Sequence, residues 1–276
     1  MSPVKTIKTF RDLLSFLTII PVCGGEDYIF NTAEHMYLFP LIGGFIGVLA
    51  AGYFLGANYI LHLLLGLANQ FITLPTDFLS KLAVSAMTVA FLLVLTGLQH
   101  FDGLIDLGNT FGLRNLHDRK TVAHAWTVTY WGALLAMIVE FTAFAGLFLI
   151  NPLFAFGAII AAEVSAKLAM VTIVWVGKPT HKGLGSIFLA KAKKKLNIVA
   201  YLLSILIAYP FFALTLNPFL GLIGVALTLV SIPVAFLMLK VSNNAFGGVS
   251  GDTIGATNEV ARATTLILLA GVLMLL

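Results

Sequence analysis

Two aspartates in this chain lie one helical turn apart. The segment HFDGLID (100–106) places Asp102 and Asp106 where an apolar run ends and a polar stretch begins. On a helix, positions i and i+4 share a face, so both carboxylates can point at one spot. Because two carboxylates held that close repel each other unless a cation lies between them, the spacing predicts a magnesium site for a phosphate-bearing substrate. A pair of solvated charges at a helix end is the alternative. His100 and His124 flank the polar stretch and are candidates for proton transfer.

A second candidate segment is rich in glycine. The stretch GGVSGDTIGATNE (247–259) carries Asp252 and Glu259 seven positions apart, near one face if it is helical. A glycine-rich loop before a helix offers backbone amides to an anion, and Ser250 and Thr253 add hydroxyl donors. A lone segment of this kind is a weak signal. Its predicted location on the same membrane face as the aspartates strengthens the prediction of a functional site.

A third candidate is the basic loop around Lys182. Gly183 and Gly185, close to Lys182, suit the binding of an anionic substrate. The lysine run at 193–195 is more simply a juxtamembrane anchor that meets anionic lipid headgroups.

The composition predicts the broad class of protein. Of the 276 residues, 59% are hydrophobic and only 10% are charged, and the mean hydropathy is +1.01. Several apolar runs reach the roughly 20 residues that cross the hydrocarbon core of a bilayer. The single cysteine, Cys23, excludes an intramolecular disulfide and a cysteine-rich zinc site. We therefore expect an all-α, polytopic membrane protein with no nucleic-acid partner.

The apolar runs predict about seven transmembrane helices in one integral membrane domain, residues 1–276. Asn151-Pro152 and Asn217-Pro218 mark tight breaks between neighbouring helices, because proline cannot continue the preceding helix. The last run is short for a full crossing. The predicted helices lie near 37–67, 82–98, 131–150, 153–176, 198–216, 219–239 and 263–276.

The distribution of Lys and Arg predicts the orientation. With an odd number of spans, one side receives nearly all the basic residues and the other little more than Lys81. By the positive-inside rule the basic side is cytoplasmic, so three polar loops, roughly 99–130, 177–197 and 241–262, face the cytoplasm from the cell membrane. The basic residues on this side are Lys5, Lys8, Arg11, Arg114, Arg119, Lys120, Lys178, Lys182, Lys191, Lys193, Lys194, Lys195, Lys240 and Arg262.

The N-terminal segment, residues 1–36, is predicted to carry an amphipathic helix. Between Thr6 and Ile20 apolar residues recur at helical spacing, with charged residues among them. Such a helix lies in the headgroup plane or packs on the cytoplasmic end of the bundle, and the pattern does not separate the two.

Three ionisable residues fall within predicted spans. Glu163 and Lys167 lie one turn apart and are interpreted as a structural ion pair. The role of Glu140 stays open, since an ionisable group at membrane depth normally faces a partner or a cavity.

Five segments, in order, match the pattern of one known family. FLTIIPV (16–22) and FPLIGG (39–44) resemble its N-terminal segments, and KGLG (182–185) also fits. The most specific are HFDGLID, similar to His-x-Asp-Gly-Leu-x-Asp, and GVSGDTIGATNE (248–259), similar to Gly-x-x-Gly-Asp-x-x-Gly-Ala-x-x-Glu. The chain thus resembles, nearly end to end, the cobalamin synthases, which are the adenosylcobinamide-GDP ribazoletransferases of the late vitamin B12 pathway.

The resemblance implies a magnesium-dependent transferase embedded in a lipid bilayer. The family joins α-ribazole, or its 5′-phosphate, to adenosylcobinamide-GDP, which gives adenosylcobalamin or its phosphate and releases GMP. An oligomer is possible, and its size leaves no trace in the sequence. Carried over by motif, the expected catalytic residues are Asp102, Asp106, His124, Asp252 and Glu259, the metal ligands are Asp102, Asp106 and Asp252, and the substrate-binding residues are His100, Lys182, Gly183, Gly251 and Asn258.

One stretch departs from the family pattern. Ala125 stands where that pattern has a carboxylate and Thr129 where it has a glycine, whereas His124 and Gly132 fit. We expect the site to be short of one acid.

Two other classes of function stay open. A membrane transferase of the alcohol phosphatidyltransferase type also places aspartates at a membrane-face metal site, but this chain lacks the array of four aspartates with an Ala-Arg pair. A solute transporter would need polar groups at the midplane and paired repeats, whereas the ionisable groups here collect in loops on one face.

Overall fold

The computed structural model describes residues 3–22, 27–113, 115–123, 127–213 and 218–275. All regular elements in these ranges are helices, which confirms the all-α fold. One isolated parallel bridge joins Pro179 to Val249. The α-helices are α1 (Pro3–Leu17), α2 (Tyr28–Glu34), α3 (Phe39–Ala68), α4 (Thr76–Leu95), α5 (Gln99–Asn109), α6 (Leu116–Ala123), α7 (Tyr130–Leu149), α8 (Pro152–Val176), α9 (Leu184–Lys191), α10 (Asn197–Ala213), α11 (Pro218–Thr228), α12 (Ser231–Phe246) and α13 (Gly251–Leu273).

The polytopic membrane bundle is confirmed, with fewer fully apolar spans than expected. Within the described residues, five helical stretches rather than seven are long and apolar enough to cross a membrane. The predicted span at 198–216 corresponds to α10, which is only 17 residues long. The predicted span at 263–276 is the second half of α13, whose first half is polar. The five stretches are Met36–Ala68, Thr76–Leu95, Tyr130–Leu149, Pro152–Val176 and Pro218–Phe246.

Helix α8 lies at the centre of the bundle. Its side chains from Gly157 to Val174 are buried, and α3, α10, α12 and α13 pack around it. Two glycines of α3 make the closest approach: a Cβ on Gly43 would lie 2.6 Å from the Glu163 carbonyl oxygen, and one on Gly47 would lie 2.7 Å from Ile160 Cα. This contact leaves no room for a side chain on that face of α3.

Helix α1 combines features of both predicted arrangements. Leu13, Leu14 and Leu17 are buried against the bundle, as expected for a helix packed on its end. Val4 and Ile7, at the start of the helix, are exposed, as expected for a helix that also contacts the headgroup region.

The three predicted polar loops are largely helical. The first contains α5 and α6, and the second contains α9. The prediction of a loop at 241–262 is wrong, because α12 continues to Phe246 and α13 begins at Gly251, which leaves only residues 247–250 between them. Gly247 ends α12 in the left-handed conformation, with φ of 76°, a region that glycine adopts without strain.

Candidate active site

Helix α5 carries the aspartate pair. Gly97 and Leu98 both have positive φ, 68° and 60°, and turn the chain sharply between α4 and α5. Asp102 and Asp106 then lie one turn apart on one face of α5, as predicted. Asp102 is exposed and Asp106 is half-buried.

The N-terminus of α13 carries the third aspartate. Ser250 caps this helix: its Oγ accepts a hydrogen bond from the Thr253 amide at 3.2 Å, and the Thr253 Oγ1 accepts one from the Ser250 amide at 2.9 Å. Ser250 Oγ also donates to Asp252 Oδ2 at 3.2 Å. Asp252 is therefore held in the first turn, where the helix dipole favours negative charge.

Two glycines bring α5 and α13 together. A Cβ on Gly103 would lie 2.5 Å from the Asp252 carbonyl oxygen, and one on Gly255 would lie 3.0 Å from His100 Cα. Because neither position has room for a side chain, the backbones of the two helices touch. The contact sets Asp252 beside the aspartate pair.

The three carboxylates influence one another. Burial and, to a lesser extent, the negative charges of Asp102 and Asp252 together raise the pKa of Asp106 to about 7. Mg²⁺ prefers hard oxygen ligands such as carboxylates. The side chains of the three aspartates therefore have the chemistry that the predicted metal requires. In the part of the chain that the structure describes, no group of three His, Cys, Asp or Glu side chains lies close enough together to hold a metal ion.

The N-terminus of α9 meets that of α13. A Cβ on Gly185 would lie 2.8 Å from the Gly251 amide nitrogen, so the two helix starts are in backbone contact. The Gly183 amide donates to Ser186 Oγ at 3.0 Å, which fixes the entry into α9. Lys182, which immediately precedes this turn, is exposed. Two helix N-termini and a lysine together favour an anion.

The loops before these two helices are joined. The Val249 amide donates to the Lys178 carbonyl at 2.7 Å, and the Thr180 amide donates to the Val249 carbonyl at 3.2 Å. A Cβ on Gly248 would lie 2.8 Å from the Lys178 carbonyl oxygen. The pairing holds the starts of α9 and α13 in register.

A cavity of about 320 Å³ opens beside these elements. Its polar lining comes from α5 and the starts of α9 and α13, and includes Asp102 and Asp252. Its apolar lining comes mainly from the N-terminal part of the chain and from α8 and α9. The apolar residues are Phe16, Met36, Phe39, Met170, Leu184, Phe188 and Ile254.

Glu259 and Asn258 do not line this cavity. Asn258 accepts a hydrogen bond from Lys167 Nζ at 2.7 Å and donates to Glu259 Oε1 at 3.0 Å. Arg262 pairs with both Glu259 and Glu163, and Lys167 Nζ lies 3.2 Å from Glu163 Oε2. All five side chains are buried, so they form an ion network between α8 and α13. The predicted Glu163–Lys167 pair is part of it, whereas the placement of Arg262 in a polar loop is wrong.

His100 lies between the cavity and this network. Its ring lines the cavity, and its Nδ1 lies 3.8 Å from Glu259 Oε1. Burial holds the pKa of His100 well below its ordinary range, and the positive charges of Lys167 and Arg262 lower it further. The imidazole is therefore neutral near pH 7.

The histidine and alanine of the divergent stretch, His124 and Ala125, lie outside the described residues. Thr129 has a structural role: its Oγ1 caps α7 by accepting from the Gly132 amide at 3.2 Å and donates to Asn109 Oδ1 at 2.9 Å. Asn109, which reasoning from the sequence missed, ties the end of α5 to the start of α7.

The apolar cavity residues were also missed. Phe16 and Phe39 fall within the two N-terminal segments that resemble the family pattern, which was the available signal. Phe188 has no such signal, since it reads as an ordinary apolar residue of a short helix.

Comparison with known proteins identifies the family of the chain. A family model for cobalamin-5-phosphate synthase matches residues 9–270. A protein of Methanocella arvoryzae named adenosylcobinamide-GDP ribazoletransferase is 30% identical, over 95% of each chain. Proteins of the same name from Methanosarcina barkeri and Halorubrum lacusprofundi are 29% and 30% identical, over 96% and 94% of this chain and 92% and 95% of their own. No solved structure matches the chain. The match over nearly the whole length means that the chain belongs to the cobalamin-5-phosphate synthase family.

Proposed function

We propose that this protein transfers the phosphocobinamide group of adenosylcobinamide-GDP to α-ribazole or its 5′-phosphate. A ribose hydroxyl forms a new bond to the phosphorus that carries the cobinamide. The pyrophosphate bond to that phosphorus breaks, and GMP leaves. The products are GMP and adenosylcobalamin or its 5′-phosphate. The observation that carries the proposal is the contact between α5 and α13, which sets Asp102 and Asp252 beside two helix N-termini at one cavity, with Asp106 one turn from Asp102.

The starts of α9 and α13 suit the pyrophosphate. The two helix N-termini are in contact, so their positive dipole ends favour an anion at one place, and Lys182, just before α9, adds a positive charge. Gly183 and Gly251 leave the backbone open for close approach of phosphate oxygens. These residues bind the donor and orient its reacting phosphorus.

The three aspartates suit a magnesium ion. Asp102, Asp106 and Asp252 would hold Mg²⁺, which when bound neutralises charge on the pyrophosphate and the leaving GMP. Glu259 and Asn258 lie instead in the buried ion network behind the cavity, where Glu259 is 3.8 Å from His100 Nδ1, so we assign them a positioning role.

His100 suits the proton transfer. Its Nδ1 faces Glu259, so Nε2 is the nitrogen that can take the proton from the attacking hydroxyl at the cavity wall. His124 is the second candidate for this role.

The exposed lysines near the site suit a cytoplasmic orientation in the cell membrane. Lys178, Lys182, Lys191 and Lys193 are all exposed on this end of the bundle, as the positive-inside rule requires of the cytoplasmic side.

The test is a two-substrate assay on the purified protein in lipid nanodiscs. With adenosylcobinamide-GDP, α-ribazole and Mg²⁺, we expect equal amounts of GMP and adenosylcobalamin by liquid chromatography. Asp102→Asn should abolish both, since the amide removes a ligand charge at nearly unchanged volume.

Asp77→Asn is the matched control. Asp77 lies in the first turn of α4, at the end far from the site, with its side chain 92% exposed. This variant should keep full activity. GMP release that does not need α-ribazole, or full activity in Asp102→Asn, would contradict the proposal.

A further inference from the structure

Three phenylalanine rings pack together at the apolar side of the cavity, with Phe16 partly exposed and Phe39 and Phe188 buried. Phe16 of α1, Phe39 of α3 and Phe188 of α9 contact one another, with centroid distances of 5.0 Å for Phe16–Phe188, 6.1 Å for Phe39–Phe188 and 6.5 Å for Phe16–Phe39. Met36 and Met170 complete this lining. We call these five residues the aromatic wall.

The aromatic wall lies one helical turn from the start of α9, where the helix N-termini favour an anion. Gly185 and Phe188 are three residues apart on α9, so they share a face, and both line the cavity. Gly185 touches the start of α13, whereas Phe188 touches Phe16 and Phe39. One turn of α-helix rises about 5 Å, which is close to the width of a ribose.

On the basis of the proposed function, we infer that the aromatic wall binds the benzimidazole base of the acceptor nucleoside. In this position the ribose bridges the wall and the carboxylates, and its hydroxyl reaches the phosphorus.

The size of the cavity favours binding of the acceptor over the corrinoid. At about 320 Å³ the cavity has the size of a small-molecule site. A nucleoside can enter it, whereas a corrin ring with its amide side chains is too large and must stay at the mouth.

The apolar chemistry of the aromatic wall favours the base of the acceptor over guanine. Guanine carries several donors and acceptors on its edges, and phenyl and thioether groups cannot pair with them. Burial of each unpaired group would carry a desolvation cost. Dimethylbenzimidazole has one free ring nitrogen and two methyl groups, which the wall accepts without such a cost.

The experiment measures binding of each substrate separately. α-Ribazole is titrated calorimetrically into the protein in nanodiscs, and KM is measured for both substrates. Phe16→Leu should raise the Kd and the KM for α-ribazole roughly 2- to 10-fold, the range for loss of one aromatic contact. The KM for adenosylcobinamide-GDP should stay unchanged.

Two further variants complete the test. Phe188→Leu should repeat the result from a different helix, which covers a failure of Phe16→Leu to fold. Phe45→Leu, the same change in a partly buried phenylalanine of α3 outside this cavity, should alter neither constant.

The outcomes are distinct. A rise in the donor KM alone, or an equal rise in both, overturns the inference. Loss of α-ribazole binding in both wall variants supports it even if the wild-type protein releases no GMP, a result that would overturn only the proposed function.

Discussion

Asp106 and Asp102 are the same residue type in different surroundings. Asp102 is exposed at the cavity, whereas Asp106 is half-buried and faces two further carboxylates, which raises its pKa to about 7. A proton and a metal ion therefore compete for Asp106 in the neutral range. An acid with an ordinary pKa would lose its proton far below pH 7.

This competition predicts pH-dependent binding of magnesium. With a pKa of about 7, roughly one Asp106 in ten is charged at pH 6 and nine in ten at pH 8. The apparent affinity for Mg²⁺, measured by calorimetry without substrates, should rise about tenfold between these values. Equal affinities at both pH values would contradict the assignment of Asp106 to the metal.

Asp106→Asn is the control for this prediction. The amide cannot take up or release the proton, so the variant should bind Mg²⁺ more weakly and with little change between pH 6 and pH 8.

Local spacing predicted some of these residues and not others. The i, i+4 relation of Asp102 and Asp106 is contained in one short segment, so the sequence alone identifies it. The partner of Arg262 could not be found in this way, because Glu163 lies 99 positions away and only the packing of α13 on α8 brings them together. Glu259 was predicted to be a catalytic acid, but its burial, which depends on that same packing, could not be predicted from its spacing.

At the scale of elements, the site depends on the approach of α5 and α13. Gly103 stands where a methyl group would lie 2.5 Å from the Asp252 carbonyl oxygen, in contact with backbone that cannot rotate away. A side chain here must push the two helices apart, and with them the carboxylates.

Gly103→Ala should therefore damage both stability and activity. Overpacking of this kind costs about 1–3 kcal/mol, and the displaced Asp252 should reduce transfer more than tenfold. A thermal melt in detergent and the GMP assay measure the two effects.

Gly52→Ala gives the comparison within α3. A Cβ at Gly52 meets nothing within 4 Å, so this variant should keep full activity and melt at the same or a higher temperature. If Gly103→Ala behaved like Gly52→Ala, the close approach of α5 and α13 would not matter for the reaction.

The boundaries of elements were the least predictable feature. The glycines and small polar residues of 247–259 are typical of a loop, yet most of them form the first turns of α13. Tertiary packing overrides their propensity, since Gly255 is needed for contact with α5 and Thr257 and Asn258 are buried against neighbours.

At the scale of the molecule, four helix ends meet at the cavity. Its lining includes Phe39 at the start of α3, Asp102 in the first turn of α5, Leu184 at the start of α9 and Gly251 at the start of α13. Exposed lysines surround the same end of the bundle. The opposite end includes the turn at 69–75 between α3 and α4.

The proposed orientation predicts which end is accessible from outside the cell. Cys23→Ser removes the only cysteine, and single cysteines are then introduced as Gln70→Cys and Lys195→Cys at two exposed positions. A membrane-impermeant maleimide should label the cysteine at 70 in intact cells and the one at 195 only after permeabilisation. The reverse pattern would place the active site outside the cytoplasm.

The ion network between α8 and α13 also bears on how the protein is made. During synthesis α8 enters the membrane first, with Glu163 and Lys167 facing only each other. Helix α13 carries Glu259 and Arg262, which would be paired only with each other in a helix that inserts alone. Its entry is therefore favoured by docking on α8, where Arg262 also pairs with Glu163. Helix α13 also brings Asp252, so the step that pairs the buried charges is also the step that completes the proposed catalytic site. On this proposal, a nascent chain cannot turn over substrate before its translation has passed that helix.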